Sequence, residues 1–241
     1  MPYIKNTYTY PDGTIEVEKV FSPRYGKNIS NGPRKKTTSE EMDKVNMRNM
    51  IKKLTRTIRA NFCSDDYHLT LTYRKDNRPS PEEAKKVLKK YIDKLRKEYK
   101  TRGHPLKYII VTEYHNKAIH HHMIINNPDN FEKLIRKTWE GGGVNFSPLY
   151  ENGDYDELAA YLVKEVKKTR TEKKNKPGYT RSRNLIEPIL RREIVHSQSW
   201  REQPLIKKGY YLDKNSLVQG ISELTGMPYQ YYRLIKIKRR D

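Results

Sequence analysis

Apolar and polar residues alternate strictly along Tyr67-His-Leu-Thr-Leu-Thr-Tyr73, the two-residue period of a strand with one buried face. Beyond it the period lengthens. Ser80-Pro-Glu-Glu has the form of a helix start, with Ser80 as N-cap, Pro81 at the first helical position and Glu83 placed to close a capping box. That helix is expected to run to about residue 99. Residues 107–115 and 119–126 read as two strands, and the polar gap at Asn116-Lys117 predicts a hairpin between them. A helix over 130–139, a strand over 143–149 and a helix from 154 to about 169 complete the series, with Gly141 to Gly143 easing the turn into the strand. The order is β-α-β-β-α-β-α. Its first six elements make the split β-α-β, ferredoxin-like arrangement, an antiparallel sheet with two helices on one face. The last helix is then free to lie across the other face.

The flanks are less regular. Strand formers on either side of Pro11-Asp12-Gly13 predict a hairpin over 7–21, and the Gly-, Pro- and Lys-rich stretch 22–38 reads as a linker or basic arm. Met42, Val45, Met50, Ile51, Leu54 and Ile58 form a helical stripe over 39–62. After Thr171 comes a basic loop, then expected strands at 194–196 and 209–212, a helix over 216–224 and a strand over 229–238. The resulting division is an N-terminal hairpin, linker and helix (1–62), an α+β core (63–171), and a basic loop with a small α/β appendage (172–241).

Composition narrows the partners. Fifty Lys+Arg face 29 Asp+Glu, a formal charge of +21, and aromatic residues reach 10%, mostly as 19 tyrosines. Phosphate contacts and counterion release reward such an excess of dispersed cations, so nucleic acid is the expected partner. Mean hydropathy is −1.02, so the core must be thin. Cys63 is the single cysteine, which excludes a disulfide framework and a Cys-based zinc site and fits a reducing, cytoplasmic setting. The first residues lack a signal-peptide pattern, and no apolar run approaches a membrane span.

Three consecutive histidines carry the chemistry. On a strand His120 and His122 share one face, while His121 points the other way with Met123 and Ile125. Two imidazoles at i and i+2 suit a divalent metal, although packed or exposed histidines without a ligand are the commoner case. The hairpin brings Glu113 beside them, where a carboxylate would either help hold the metal or pair with one of the many lysines. Two nitrogens and one oxygen leave coordination positions open, which suits Mg²⁺ or Mn²⁺ that must also hold a phosphate. In the last core helix Tyr161 and Lys164, three residues apart, lie on one side, where a tyrosine is ordinarily core or rim. Thr70 and Thr72 share a strand face with His68, either lining a nucleic-acid groove or serving simply as strand formers.

A Leu-Thr-Leu-Thr strand, a His-x-His strand and a Tyr-x-x-Lys helix, in that order over about 67–169, resemble the HUH endonuclease superfamily. The pattern is most similar to rolling-circle replication initiators of plasmids and filamentous-type phages. The stretch Tyr179-Thr-Arg-Ser-Arg-Asn-Leu-Ile-Glu-Pro is similar to the segment after the core in phage-type initiators, which makes Arg181 and Arg183 candidate DNA contacts. The resemblance implies that His120, His122 and Glu113 hold the metal, that Tyr161 is the nucleophile and that Lys164 assists it. It also implies a 5′-phosphotyrosine link to single-stranded DNA at an origin and a free 3′-OH for a host polymerase. The chain departs from the pattern in placing His121, not a bulky apolar residue, between the paired histidines, and in having one tyrosine on the nucleophile helix face. No phosphate-binding Gly-x-x-x-x-Gly-Lys loop is visible, so a host helicase is an expected partner. A single-tyrosine transposase would share the same residues. A non-catalytic RRM-like binder would instead present aromatic side chains on the open sheet face.

Overall fold

The computed structural model describes residues 3–22, 39–114, 118–150, 155–169, 178–195, 201–222 and 226–237. In chain order the elements are β1 (Tyr3–Thr9), β2 (Ile15–Phe21), α1 (Ser39–Asn61), β3 (Tyr67–Thr72), α2 (Pro81–Thr101), β4 (Tyr108–Glu113) and β5 (His120–Ile125). A 3-10 turn at Pro128–Asn130 leads to α3 (Glu132–Thr138), β6 (Val144–Pro148), α4 (Asp156–Thr169), β7 (Thr180–Arg181), β8 (Ile189–Val195), β9 (Tyr210–Ile221) and β10 (Pro228–Lys236). The class is α+β, as expected, with two five-stranded antiparallel sheets among the described residues. They belong to two units, one of Thr38–Ile186 and one combining Met1–Thr37 with Glu187–Asp241.

In the central unit the sheet runs β6-β3-β5-β4-β7, and its first four strands stand in ferredoxin-like order. The alternation at Tyr67–Thr72 sends Leu69 and Leu71 into a core with Ile110, Met123 and Ile125, under Leu95 and Tyr99 of α2 and Ile135 of α3. The other face carries Ile109, Val111 and Ile124, covered by Leu162, Val163 and Val166 of α4 and by Leu54 and Ile58 of α1. The second-face helix was expected. Its companion α1 was assigned from the sequence to a separate N-terminal region, and instead packs beside it.

Local chemistry holds these elements in place. Ser80 caps α2 with its hydroxyl accepting from Glu83 N, while the Glu83 side chain returns to the Ser80 backbone, closing the capping box. At the turn into β6, a Cβ on Gly142 would stand 2.7 Å from the Thr72 carbonyl oxygen, so only glycine lets the two backbones approach. The pairing of β4 with β5 is present, although the turn expected at Asn116-Lys117 falls outside the described residues. The third helix is shorter than expected, since Pro128–Asn130 form a 3-10 turn with Asp129 and Asn130 at positive φ.

The terminal unit corrects the reading of the tail. Its sheet runs β8-β1-β2-β10-β9, so the N-terminal hairpin lies at the centre of a sheet completed by C-terminal strands. The hairpin itself forms as expected around Pro11-Asp12-Gly13, with Gly13 at φ 86°. The boundaries drawn at 62 and 171 therefore do not coincide with the seams between units. Residues 216–221 of the helix expected at 216–224 are instead part of β9, and no helix occurs among the described residues of 172–241. Pairing with β10 overrides the local pattern through a bulge, where Ser216 Oγ donates to Asp213 O and accepts from Arg233 N. Ile15, Val17, Tyr232 and Leu234 make a small core on one face of this sheet. The expected basic arm at 22–38 falls outside the described residues apart from Ser22. Among the described residues no helix is long and apolar enough to cross a membrane.

Leu95 is fully buried beneath the central sheet, and Leu95→Ala should lower the unfolding free energy by about 2–5 kcal/mol. Denaturant titration followed by circular dichroism measures it; a loss below about 1 kcal/mol would contradict the packing described.

Candidate active site

Antiparallel register fixes which side chains meet. Residues directly opposite share a face, and His120 stands opposite both Glu113 of β4 and Thr72 of β3. His122 stands opposite Val111 and Thr70, and His68 opposite Ile124. His68, Thr70, Thr72, His120, His122 and Glu113 are thus on one face, the face beneath α4. Tyr161, in the second turn of that helix, brings its hydroxyl to 3.2 Å from His122 Nε2. The same Nε2 is 3.2 Å from Glu113 Oε2. The phenol remains 42% exposed, so it is reachable from solvent while its hydroxyl faces the histidine.

These contacts crowd a single nitrogen. A ring nitrogen carries one hydrogen or one lone pair in its plane, so Nε2 cannot fully satisfy a phenol and a carboxylate together. Burial, the largest influence on Glu113, would raise its pKa. The hydrogen bond from His122 and the histidine charge outweigh burial and hold the carboxyl below its usual range. His122 Nδ1 is buried without a hydrogen-bond partner.

Two further groups, given no role in the sequence analysis, belong to this cluster. The His68 ring stacks on His122 with centroids 5.5 Å apart and planes 25° apart, and meets the Tyr161 ring edge-on at 6.4 Å. Burial, followed by the neighbouring His122 charge, lowers its pKa to about 4. The signal was its place in the alternation with Thr70 and Thr72. Glu165, one turn after Tyr161 and only 2% exposed, lies close enough to Glu113 to help hold its carboxyl below the usual range. Its i+4 spacing from Tyr161 was the readable sign.

The remaining candidates are placed less closely. Lys164 is exposed, three residues beyond Tyr161 on α4. Thr70 flanks His122 across the ladder, whereas the Thr72 hydroxyl donates to the Gly143 carbonyl at 3.3 Å and so serves the strand pairing. Arg181 is exposed in β7, opposite Ile109, which sets it about 13 Å along β4 from Glu113 at a rise of about 3.3 Å per residue. Arg183 is exposed beyond it. Neither arginine joins the cluster.

His121 points to the opposite face, as its position in the strand requires. It is buried with Tyr73 Oη 2.8 Å from Nε2 and Thr112 Oγ1 2.9 Å from Nδ1. Burial first, then the charges of His122 and His120, lowers its pKa to about 4, so the ring is neutral and both nitrogens are occupied. Burial pushes Tyr73 up to about 12 and keeps its hydroxyl protonated.

The structure thus gathers a sheet-borne histidine pair, an adjacent carboxylate and a helix-borne tyrosine on one face. Residues 66–170 match the family model described as replication-associated protein ORF2/G2P, which supports a rolling-circle replication initiator family. No curated protein and no solved structure matches the chain.

With both ring nitrogens engaged, His121→Phe removes the hydrogen bonds that the Tyr73 and Thr112 hydroxyls make to a buried ring. It should cost about 1–3 kcal/mol in unfolding free energy, read by denaturant titration. An unchanged stability would mean that the two hydrogen bonds contribute nothing.

Proposed function

We propose that this protein nicks single-stranded DNA at a replication origin by transesterification at Tyr161, leaving a 5′-phosphotyrosine link and a free 3′-OH. The observation that carries the reading is the Tyr161 hydroxyl standing 3.2 Å from Nε2 of His122, on the face that also presents Glu113 and His120. The phenolic oxygen attacks the backbone phosphorus and the bond to the 3′ oxygen breaks. The phenol loses a proton and the departing 3′ oxygen gains one. The phosphodiester energy stays in the tyrosine ester, so rejoining needs no nucleotide.

An unperturbed phenol, with a pKa near 10, is a poor nucleophile at neutral pH. Lys164, on the same helix side, supplies a cation toward the phosphate and the developing phenolate. Among the described residues no three His, Cys, Asp or Glu side chains form a ready metal cage. The donor set nevertheless fits a divalent cation. His122 Nε2 faces two oxygens that it cannot satisfy together, and the Glu113 carboxyl is held toward its charged form. His120, His122 and Glu113 would hold Mg²⁺ or Mn²⁺, which when bound polarises a non-bridging phosphate oxygen. The non-catalytic binder expects stacking aromatics on this face, where the strands carry His68, Thr70, Thr72, His120 and His122.

The test is incubation of the full chain with Mn²⁺ and a labelled pool of random single-stranded 30-mers, followed by denaturing electrophoresis. Wild type should give a denaturant-resistant adduct. Tyr161→Phe should give none. His122→Ala should lose about 100-fold or more in rate and Lys164→Ala about tenfold, in line with removal of a ligand and of one electrostatic contact. An adduct that persists in Tyr161→Phe would place the nucleophile elsewhere.

A further inference from the structure

On the sheet face opposite His120 and His122, α2 and the β4–β7 edge enclose an open groove of about 650 Å³. Lys85, Lys89 and Arg96 line it from α2, and Tyr108, Tyr114 and Tyr179 from the strand side. The spacings of four and seven residues put the three cations on one side of the helix. Aliphatic side chains of α2 and β4 form the floor between the cations and the rings.

Building on the nicking reading, we propose that this groove binds the single-stranded DNA flanking the cleaved phosphate. The backbone would lie along Lys85, Lys89 and Arg96, and a base would stack on Tyr114. Charge supports this occupant. Asp93 is the one acid lining the groove among the described residues, and it pairs at 2.7 Å with Arg96. Lys85 pairs with Glu82 at 2.7 Å, and Lys89 pairs with no carboxylate among the described residues. Exposed pairs of this kind contribute little and exchange readily for phosphate. The Tyr114 ring selects for single strands, because the flat faces of bases are available for stacking only when unpaired.

Topology connects the groove to the site. Thr112 and Tyr114 line the groove, while Glu113 between them faces His120 on the other side. Strand β7 pairs only with Ile109 and Ile110, so among the described residues the outer edge of β4 is open from Val111 onward. A DNA strand leaving the phenol would cross this edge at Tyr114 and continue into the groove, and no described strand pairs with β4 there.

The experiment measures fluorescence anisotropy of labelled dT30 in a Tyr161→Phe background, with adduct kinetics on the random 30-mers in the otherwise unaltered chain. Lys85→Glu/Lys89→Glu should weaken dT30 binding by at least about tenfold. It should also reduce the slope of log affinity against log salt by about 1.4, the value for two lost phosphate contacts on a single strand. Lys90→Glu/Lys97→Glu, with the same charge change on another side of α2, should weaken binding less than about threefold with folding unchanged by circular dichroism. Tyr114→Ala should weaken binding by about fivefold or more without altering the salt slope. In adduct formation, Lys85→Glu/Lys89→Glu should raise KM and spare kcat. Equal effects from the two charge-reversed pairs would reduce the groove to diffuse attraction and overturn the proposal, as would tighter binding of rU30 than dT30. A wild type that forms no adduct while the dT30 results hold would sink the nicking reading and leave the groove as a single-strand site.

Discussion

The antiparallel register of β3, β5 and β4 is the constraint on which the site depends. A strand presents its side chains with period two, so a slip of one residue moves every group to the other face. With Glu113 opposite His120 and Val111 opposite His122, the two imidazoles and the carboxylate share a face, and His121 is left among the helices on the other. A one-residue slip of β5 would put one imidazole under α4 in place of two. The register is held from both sides. Ile124 is buried against α1 and α4, while Met123 and Ile125 are buried against α2 and α3, so neither face can be exchanged for solvent. The Tyr73 and Thr112 hydroxyls add a polar lock by taking both nitrogens of His121.

The order and type of the core elements were legible because most carry a strong local signal. Strict alternation marked β3, a capping box marked α2, and Asp156 to Val166 shows a clear apolar stripe. Run together as His-His-His-Met-Ile-Ile, β5 has no alternation in hydrophobicity, since both its faces are buried. Its face assignment followed from strand geometry and the resemblance to a known family. The histidine pair, Glu113 and Tyr161 could therefore be brought together before any coordinates, whereas for His68 and Glu165 only the face, from the alternation and the i+4 spacing, was readable. Their place in the cluster depends on stacking between strands and on the depth of α4 over the sheet, neither of which leaves a local pattern.

The flanking segments misled for a related reason. A pairing between residues separated by almost the whole chain leaves no periodic trace, and β1 pairs with β8 across such a gap. Read locally, the hairpin and the tail looked like separate appendages. Ser216 followed by Leu217, Val218 and Ile221 looked helical because a bulged strand places apolar residues at irregular intervals. The helix α1 was recognised as a helix, but what it covers could not be read from its stripe.

That covering role bears on how a single phenol can be aimed. Tyr161 lies on the rim of α4 and is too exposed for its own burial to fix it. The aim has to come from the helix, and Leu162, Val163 and Val166 seat α4 on Ile109, Val111 and Ile124 while Leu54 and Ile58 of α1 pack alongside. Close-packed interiors resist displacement because each lost contact forfeits dispersion energy over many atoms. An error of about 1 Å in the placement of a reacting group can cost roughly a hundredfold in rate. On the proposed nicking reading, a helix seated on the sheet and braced by a second helix beside it would keep the tyrosine within that tolerance while its outer side stays open. The second helix layer on the histidine face thus belongs to the positioning of the site as much as to the stability of the fold.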